Sequence, residues 1–293
     1  MKRTFRILAG VPLLSAAVSL AGCSGEPPPP PPPQPLKELT IQRVSADLAK
    51  PDPAAAIWKS VPTGIITMMA QPMIAPRPEK TTTENVFVQA VHDGSRVAFR
   101  LRWKDSERSE GGRLAEFSDA FALEFPANDG PVPPVMMGAK GMPVHLFHWR
   151  AQYQRDHEKG KPTMKELYPN LSVDMYPLEL GGSDAGPPEA AEKFSPGRAE
   201  GNPQSYAKSG VDEIIAEGFA TSSVQEGHGS AARGLWSEGE WTLVIVRPLV
   251  IEGGSTLKAG KPSNVAFAAW QGGYGEVGSR KGVTMSWTPV TIQ

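Results

Sequence analysis

Residues 133–151, PPVMMGAKGMPVHLFHWRA, combine side chains that can bind a soft metal. This segment holds three methionines, two histidines and one tryptophan. Thioether sulfur suits haem iron or copper(I), and imidazole is the most common metal ligand in proteins. Met137, or Met136 one residue earlier, lies in a glycine-punctuated loop, which would let a flat ligand approach the backbone.

The strand predicted after this loop has two different faces. Alternate positions point to opposite sides of a strand: His145, Phe147 and Trp149 to one, and Val144, Leu146, His148 and Arg150 to the other. One face is aromatic with a polar histidine, and the other ends in a cation that could pair with a carboxylate. Methionine and aromatic side chains in strands usually pack in a core. The residues alone therefore leave a cofactor site and an ordinary core as two open interpretations.

Other catalytic patterns are weak. A G-x-G-x-x-G occurs at 273–278, but a dinucleotide site needs a helix after it. The β-like sequence SRKGVTMSW follows instead, which indicates a glycine-rich hairpin loop between the last strands. No G-x-S-x-G is present, and a net charge of −1 gives no basic surface for nucleic acid. We expect no catalysis by the chain on its own and no nucleic-acid partner.

The single cysteine, Cys23, limits the metal chemistry. The domain that follows it can have no internal disulfide, no cysteine-ligated iron–sulfur cluster and no C-x-x-C-H haem attachment. Any metal there must use histidine, methionine, lysine, tyrosine or carboxylate ligands.

The N-terminal sequence predicts export and lipidation. Residues 1–22 have a charged start, a short apolar run and the ending LAG before Cys23, which is typical of a lipoprotein signal peptide. Residues 23–36 form a lipidated cysteine and a polyproline linker, a stiff spacer. We expect a lipid anchor on the periplasmic side, with the outer membrane favoured because Ser24 is not aspartate.

Residues 37–293 are predicted to form one all-β domain, a β-sandwich with long loops and at most a few short helices. In VFVQAVHDGSRVAFRLRW the Asp93-Gly94 pair predicts a hairpin. Further strands are predicted at 119–125, 143–150, 241–247, 264–270 and 283–290. One short helix is expected within 151–168, and 180–210 is expected to be a long loop.

Six segments in order resemble the haem b-binding γ subunit of the type II dimethyl sulfoxide reductase family, which includes ethylbenzene, dimethyl sulfide, selenate and chlorate enzymes. The match covers roughly residues 84–290. The segments are VQAVHDGSRVAFRLRWKD, FSDAFALEFP, VMMGAKGMPVHLFHWRA, AEGFATSS, GLWSEGEWTLVIVRPL and VAFAAWQGGYGEVGSRKGVTMSW.

The resemblance implies a β-sandwich that holds one haem b. It implies an axial methionine at Met137, with Met136 as the alternative, and we expect His145 and Trp149 to contact the cofactor. Relatives use a lysine before the last strands as the second ligand, but no residue here matches it by pattern. We predict His228 as the second metal ligand, with Lys208 as a further candidate.

The predicted function is electron transfer by an exported haem b protein. Its partners would be redox proteins, including molybdenum and iron–sulfur subunits of an oxidoreductase complex, and a membrane through the lipid. The alternative is a non-haem β-sandwich lipoprotein that binds a ligand or carbohydrate, with exposed tryptophans stacking on sugars.

Overall fold

The computed structural model describes residues 32–170, 209–227 and 229–293, together with Gly197 and Glu200. The predicted signal peptide, Cys23, most of the proline linker, Lys208 and His228 lie outside the described residues. None of the described helices has the length and apolar character needed to cross a membrane.

The described residues are mostly in strands and contain two short α-helices, α1 (Ala151–Lys159) and α2 (Met164–Leu167). Single 3-10 turns lie at Ala56–Lys59 and Gly272–Tyr274. The strands are β1 (Gln34–Pro35), β2 (Leu39–Arg43), β3 (Gly64–Thr67), β4 (Met69–Ala70), β5 (Asn85–His92), β6 (Arg96–Lys104), β7 (Ala120–Pro126), β8 (Val144–Arg150), β9 (Val211–Ala216), β10 (Ser223–Val224), β11 (Ala231–Ser237), β12 (Glu240–Pro248), β13 (Ser263–Trp270), β14 (Gly282–Val283) and β15 (Thr288–Ile292).

These strands form one continuous sheet that folds back on itself into two layers. Its order is β10-β9-β8-β7-β13-β15-β2-β5-β6-β12-β11, with β14 also paired to β13 and β3 to β5. The first layer contains the antiparallel strands β9, β8, β7 and β13. The second contains β5, β6, β12 and β11. The short parallel pair β15 and β2 joins the layers, so the predicted all-β sandwich is confirmed.

Aromatic side chains from both layers meet in the core. Phe99 of β6 packs on Phe125 of β7 with ring centroids 5.7 Å apart, and Trp103 packs on Phe121 at 5.1 Å. Trp241 of β12 completes a cluster with Trp103 at 6.2 Å. Such pairs add to the stabilisation that burial of large apolar surfaces gives. The inner face of each layer is thus filled by side chains of the other.

Most of the strands predicted from the sequence are observed, but the last one is interrupted. The predicted strand 283–290 divides into β14 and β15, which pair with different halves of β13. Between them a side chain replaces one backbone acceptor of the β-ladder: the Thr284 hydroxyl accepts the Phe267 N–H at 3.0 Å. The predicted Asp93-Gly94 hairpin is confirmed, with Gly94 at φ 103° and the Asp93 carboxylate accepting the Arg96 N–H.

Two acidic side chains lie together in the interior, away from the surface. Asp119 accepts hydrogen bonds from Ser109 N–H, Gly272 N–H and the Trp241 indole at 2.7–3.0 Å. Burial and the neighbouring Asp119 carboxyl raise the pKa of Asp105 to about 7. Burial raises the pKa of Asp119 to about 6. The folded protein therefore binds protons that the unfolded chain releases.

This pair predicts a stability that falls as the pH rises. Both pKa values are raised, so the folded state holds more protons between about pH 4 and pH 7, and stability decreases across that window. In Asp105→Asn the amide can donate to Asp119 without titrating. We expect the difference in free energy of unfolding between pH 5 and pH 8, measured in urea, to shrink. The exposed Glu79, which does not affect the pKa of either acid, serves as the control in Glu79→Gln, and an unchanged difference in Asp105→Asn would contradict the assignment.

Candidate functional site

A cavity of about 580 Å³ lies on the outer face of the first layer. Its floor is the side of β7, β8, β9 and β13 that points away from the sandwich core. Its walls come from three stretches of chain: 135–137, 219–224 and 278–284, with Ile74 at the margin. The volume is within the roughly 300–1,000 Å³ of ligand and cofactor sites.

Small side chains make part of the floor of this cavity flat and apolar. Ala122 of β7 pairs with Ala268 of β13, and Ala266 is the next outward residue along β13. All three line the cavity. Because alternate residues of a strand point to opposite faces, the bulky Phe121 and Phe267 fill the core while the alanines leave room outside. The floor can accommodate a large planar molecule.

The loop of residues 133–143, which we call the methionine loop, carries Met136 and Met137. It is attached to this floor by hydrogen bonds. The Met137 N–H donates to the Glu124 carboxylate at 3.0 Å, and the Met137 carbonyl accepts the Gly218 N–H at 2.7 Å. The Trp287 indole donates to the Pro133 carbonyl at 2.8 Å. The loop is therefore held at both its start and its centre, and both Met136 and Met137 line the cavity.

The backbone of this loop is unusual. Met136, Met137 and Gly138 have φ values of 77°, 76° and 67° in succession. Left-handed backbone costs an L-residue roughly 1–2 kcal/mol. Side chains held in such a conformation cluster at functional sites. Two consecutive strained methionines at a cavity wall indicate that the position of their side chains matters.

Lys281 enters the same cavity from the C-terminal part of the chain. It precedes β14, and its carbonyl accepts the Gln71 N–H at 3.1 Å. Its Nζ lies 4.8 Å from the centroid of the Trp270 ring. Burial lowers the pKa of Lys281, and the attraction of Glu124 opposes this only in part. A lysine placed this way is poised to become the neutral amine that can donate a lone pair to a metal.

Glu124 is the acid at the centre of the site. It is nearly buried, and burial raises its pKa to about 7, although the N–H groups of Met137 and Met136 and the charge of Lys281 lower it. It lies on the floor beside Leu146 and Ala266 in register. Glu124 thus links the methionine loop, the floor and Lys281.

Four polar side chains gather at the end of the cavity where β8 runs into α1: His148, Arg150, Tyr153 and Asp212. His148 stacks on Trp270 at 4.9 Å, and its Nε2 is shielded from solvent without a hydrogen-bond partner in the part of the chain that the structure describes. Burial lowers the pKa of His148 well below its usual value. A neutral, unpartnered imidazole facing a cavity is the arrangement that a bound ligand would complete.

The structure brings only some of the predicted residues together. Met136 and Met137 line the cavity, whereas His145 and Trp149 lie on the opposite face of β8 and pack in the core. His145 approaches the buried Glu213 carboxylate at 3.7 Å, and Trp149 packs on Trp241 at 5.0 Å. Both are buried there, away from the cavity, so a direct contact with a ligand is not supported.

The other candidates of the sequence fall outside the described residues or lack the expected exposure. His228 and Lys208 are not described. Of the described neighbours of His228, Gly229 contacts Arg96 and Ser230 contacts Glu213, and neither lines the cavity. The prediction that tryptophans are exposed is wrong, because each of the seven tryptophans is buried or half-buried.

Lys281 is the site residue that the sequence argument missed, although it lies in the last of the six matched segments. The outward alanines of DAFALEF and NVAFAAW were a second usable signal, since they leave one face of two neighbouring strands bare. Within the described ranges, no group of three or more His, Cys, Asp or Glu side chains is placed to hold a bare metal ion.

The chain is a β-sandwich with a cavity on the outer face of one layer that has the size of a ligand or cofactor site. The chain belongs to the ethylbenzene dehydrogenase family, because the family model described as "Ethylbenzene dehydrogenase" matches residues 55–282. This match includes Met137, Arg150 and Lys281, and it confirms the family resemblance drawn from the sequence.

Two relatives support the same assignment. A protein of Haloferax mediterranei, described as a proposed respiratory nitrate reductase haem subunit, is 24% identical over 287 residues, covering 97% of this chain and 82% of that protein. The chlorate reductase subunit gamma of Ideonella dechloratans is 25% identical over 274 residues, covering 91% and 90%.

Solved structures of distantly similar fold are carbohydrate-binding proteins. A family 9 carbohydrate-binding module of Caldicellulosiruptor kristjanssonii in complex with glucose has a TM-score of 0.43 and 6% identity, covering 88% of this chain and 96% of that chain. A proposed carbohydrate-binding protein of Bacteroides uniformis has a TM-score of 0.45 and 9% identity, covering 88% and 100%.

The packing of the methionine loop predicts that two glycine-to-alanine variants differ in their free energy of unfolding. Gly138 and Gly141 both have positive φ, so alanine strains the backbone at either position. A Cβ at Gly138 would lie 2.5 Å from the Met142 carbonyl oxygen, whereas one at Gly141 meets nothing within 4 Å. We expect Gly138→Ala to lose roughly 1–3 kcal/mol more unfolding free energy than Gly141→Ala in urea titrations. Equal losses would show that Gly138 is not closely packed against the Met142 carbonyl.

Proposed function

We propose that the cavity holds one haem b between Met137 and Lys281, and that the chain is an electron-transfer subunit of a redox enzyme complex. The observation that carries the proposal is the meeting of a thioether and an amine of lowered pKa in one cavity above an alanine floor. The relatives support it, since one is described as a haem subunit and both are described as reductase subunits.

The residues of the cavity fit a haem in size and chemistry. The apolar floor would receive the porphyrin, and the soft sulfur and neutral nitrogen are ligands that iron accepts. Lys281 replaces His228 as the proposed second ligand, because Lys281 faces Met137's cavity whereas the described neighbours of His228 do not. The expectation of a lysine before the last strands is also met by its position ahead of β14.

The protein's part in this proposal is to position and tune. Glu124 fixes the backbone of Met137 by accepting its N–H, which sets the direction of the thioether. Burial favours the neutral amine of Lys281. Haem supplies one-electron chemistry, and methionine ligation raises the reduction potential. A haem held by both Met137 and Lys281 would be suited to electron transfer rather than to oxygen activation.

The partner and the location follow as further parts of the proposal. We propose that electrons pass to or from a molybdenum-containing oxidoreductase, through iron–sulfur and molybdenum subunits. The chain would be exported as a lipoprotein, anchored through Cys23 on the periplasmic side and preferably at the outer membrane. The polyproline stretch would hold the sandwich away from the lipid surface.

Spectroscopy of four variants tests the ligands. Apoprotein reconstituted with haemin should give a Soret band, with sharp α and β bands on reduction. Met137→Leu and Lys281→Leu should each lose the six-coordinate low-spin spectrum, because each replaces one axial donor by a side chain that cannot bind iron. The matched controls Met136→Leu and Lys140→Leu should keep it.

Two outcomes would overturn this proposal. A wild-type chain that stays colourless with haemin refutes haem binding and leaves the ligand- or carbohydrate-binding alternative. A spectrum that changes in Met136→Leu but not in Met137→Leu moves the sulfur ligand by one residue.

Lipidation is tested by Cys23→Ser in a bacterial host. We expect the wild-type chain to incorporate labelled palmitate and to sediment with membranes, because a processed lipoprotein carries several acyl chains. The variant should lose both properties. An unlabelled wild-type chain would refute the lipoprotein proposal without affecting the cavity.

A further inference from the structure

Apart from Glu124 and Lys281, the ionisable side chains of lysine, arginine, histidine and carboxylic acids that line the cavity lie at one end. His148, Arg150, Tyr153 and Asp212 lie where β8 ends and α1 begins, while the floor and the methionine loop are largely apolar. In the function proposed above, Lys281 is a ligand of the haem iron. Of the described residues lining the cavity, this leaves the Arg150 guanidinium as a permanent positive charge.

Tyr153 holds Arg150 in place, and the charge of Arg150 opposes the rise that burial causes in the pKa of the neighbouring Asp212 carboxyl, without a direct ion pair. Its Nη1 donates to the Tyr153 hydroxyl at 3.0 Å, and its guanidinium lies 4.7 Å from the centroid of the Tyr153 ring. No carboxylate of the described residues lies within 4 Å of it. A guanidinium has five N–H donors in a fixed fork that matches a carboxylate. Arg150 therefore offers an oriented anion site with unused donors.

Its distance from the iron ligands is on the scale of a porphyrin. Glu124, which fixes Met137, pairs in register with Leu146, and Arg150 lies four residues further along β8. At roughly 3.3 Å per residue this separation is about 13 Å along the strand, part of which the long arginine side chain can span. The methionine end and the Arg150 end are thus far enough apart to hold the centre and one edge of the same ring.

We propose that Arg150, oriented by Tyr153, binds the carboxylate substituents of the bound porphyrin and so fixes which edge of the ring faces this end of the cavity. This inference rests on the proposed haem function and adds the group that orients the ring. Asp212 pairs with His148 in register and lies beside the same end. Burial raises the pKa of Asp212, although the charge of Arg150 opposes this rise, so the repulsion of a bound carboxylate by Asp212 is reduced but not removed.

The test compares haemin with haemin dimethyl ester, which has the same iron and ring but no free carboxylates. Apoprotein of the full chain is titrated with each compound in the same solvent mixture, with Trp emission and the Soret band as readouts. We expect the wild type to bind haemin about 10- to 100-fold more tightly than the ester, the range given by charge-assisted hydrogen bonds.

The variants separate the anchor from general effects. Arg150→Met should bring the ratio of the two affinities close to one while affinity for the ester stays as in the wild type. Tyr153→Phe should reduce the ratio by a few-fold, because the guanidinium loses its orienting oxygen. Arg233→Met removes an exposed arginine of β11 and should keep the full wild-type ratio.

The possible failures are distinguishable. If Arg150→Met binds both compounds but keeps the wild-type preference, the anchor is refuted and haem binding stands. If the wild type itself binds neither compound, the proposed function fails. Should Arg150→Met not fold by circular dichroism, Arg150→Lys keeps the charge and loses the fork, and an unchanged ratio there together with an unchanged ratio in Tyr153→Phe would refute the oriented anchor.

Discussion

The hydrogen bond from the Met137 N–H to the buried Glu124 carboxylate joins the loop of the cavity to its floor, and the rest of the site depends on it. Met136 and Met137 both adopt left-handed backbone, which an isolated loop would relax. The acceptor on β7 and the Gly218 N–H beyond β9 together hold this conformation. The strain is sustained by strands that the inter-layer core makes rigid.

The sandwich core and the cavity are two consequences of the same strand alternation. In β7 and β13 the inward residues include three phenylalanines, and they pack against the second layer. The outward residues of the same strands are alanines, glutamate and tryptophan, which form the floor and sides of the cavity. A face that is bare of large side chains exposes apolar area unless something covers it. Lys281, the acid Glu124 and His148, whose Nε2 has no hydrogen-bond partner among the described residues, are polar groups that a ligand covering this face could contact.

How much the sequence could predict differs between the fold and the site. Period-two patterns and the Asp93-Gly94 turn predicted the sandwich correctly, because strand alternation is a local property. The position of Met137 at a cavity also follows from its glycine-rich loop. Lys281 could not be assigned from local pattern, since nothing nearby shows that it meets Met137. That meeting is made by the pairing of β14 with β13 and of β13 with β7.

The faces of β8 show a second limit of prediction. Alternation correctly divided His145 from His148, but it could not say which face is the core. The interpretation favoured His145 and Trp149 because an aromatic face resembles a binding surface, yet aromatic residues are also what a sandwich buries. The opposite face, with His148 and Arg150, lines the cavity. The bulk of residues on the neighbouring strands decides this, since Phe121 and Phe267 point to the same side as Trp149.

The central claim is that one haem iron lies over the outer face of the first layer, between Met137 and Lys281. The most direct measurement is the position of the iron from anomalous diffraction of crystals of the haem-loaded protein. The account predicts a single iron peak in the cavity, within bonding distance of the Met137 sulfur and the Lys281 amine. An iron peak in the core beside His145, or beside Gly229 and Ser230 ahead of β11, would contradict it.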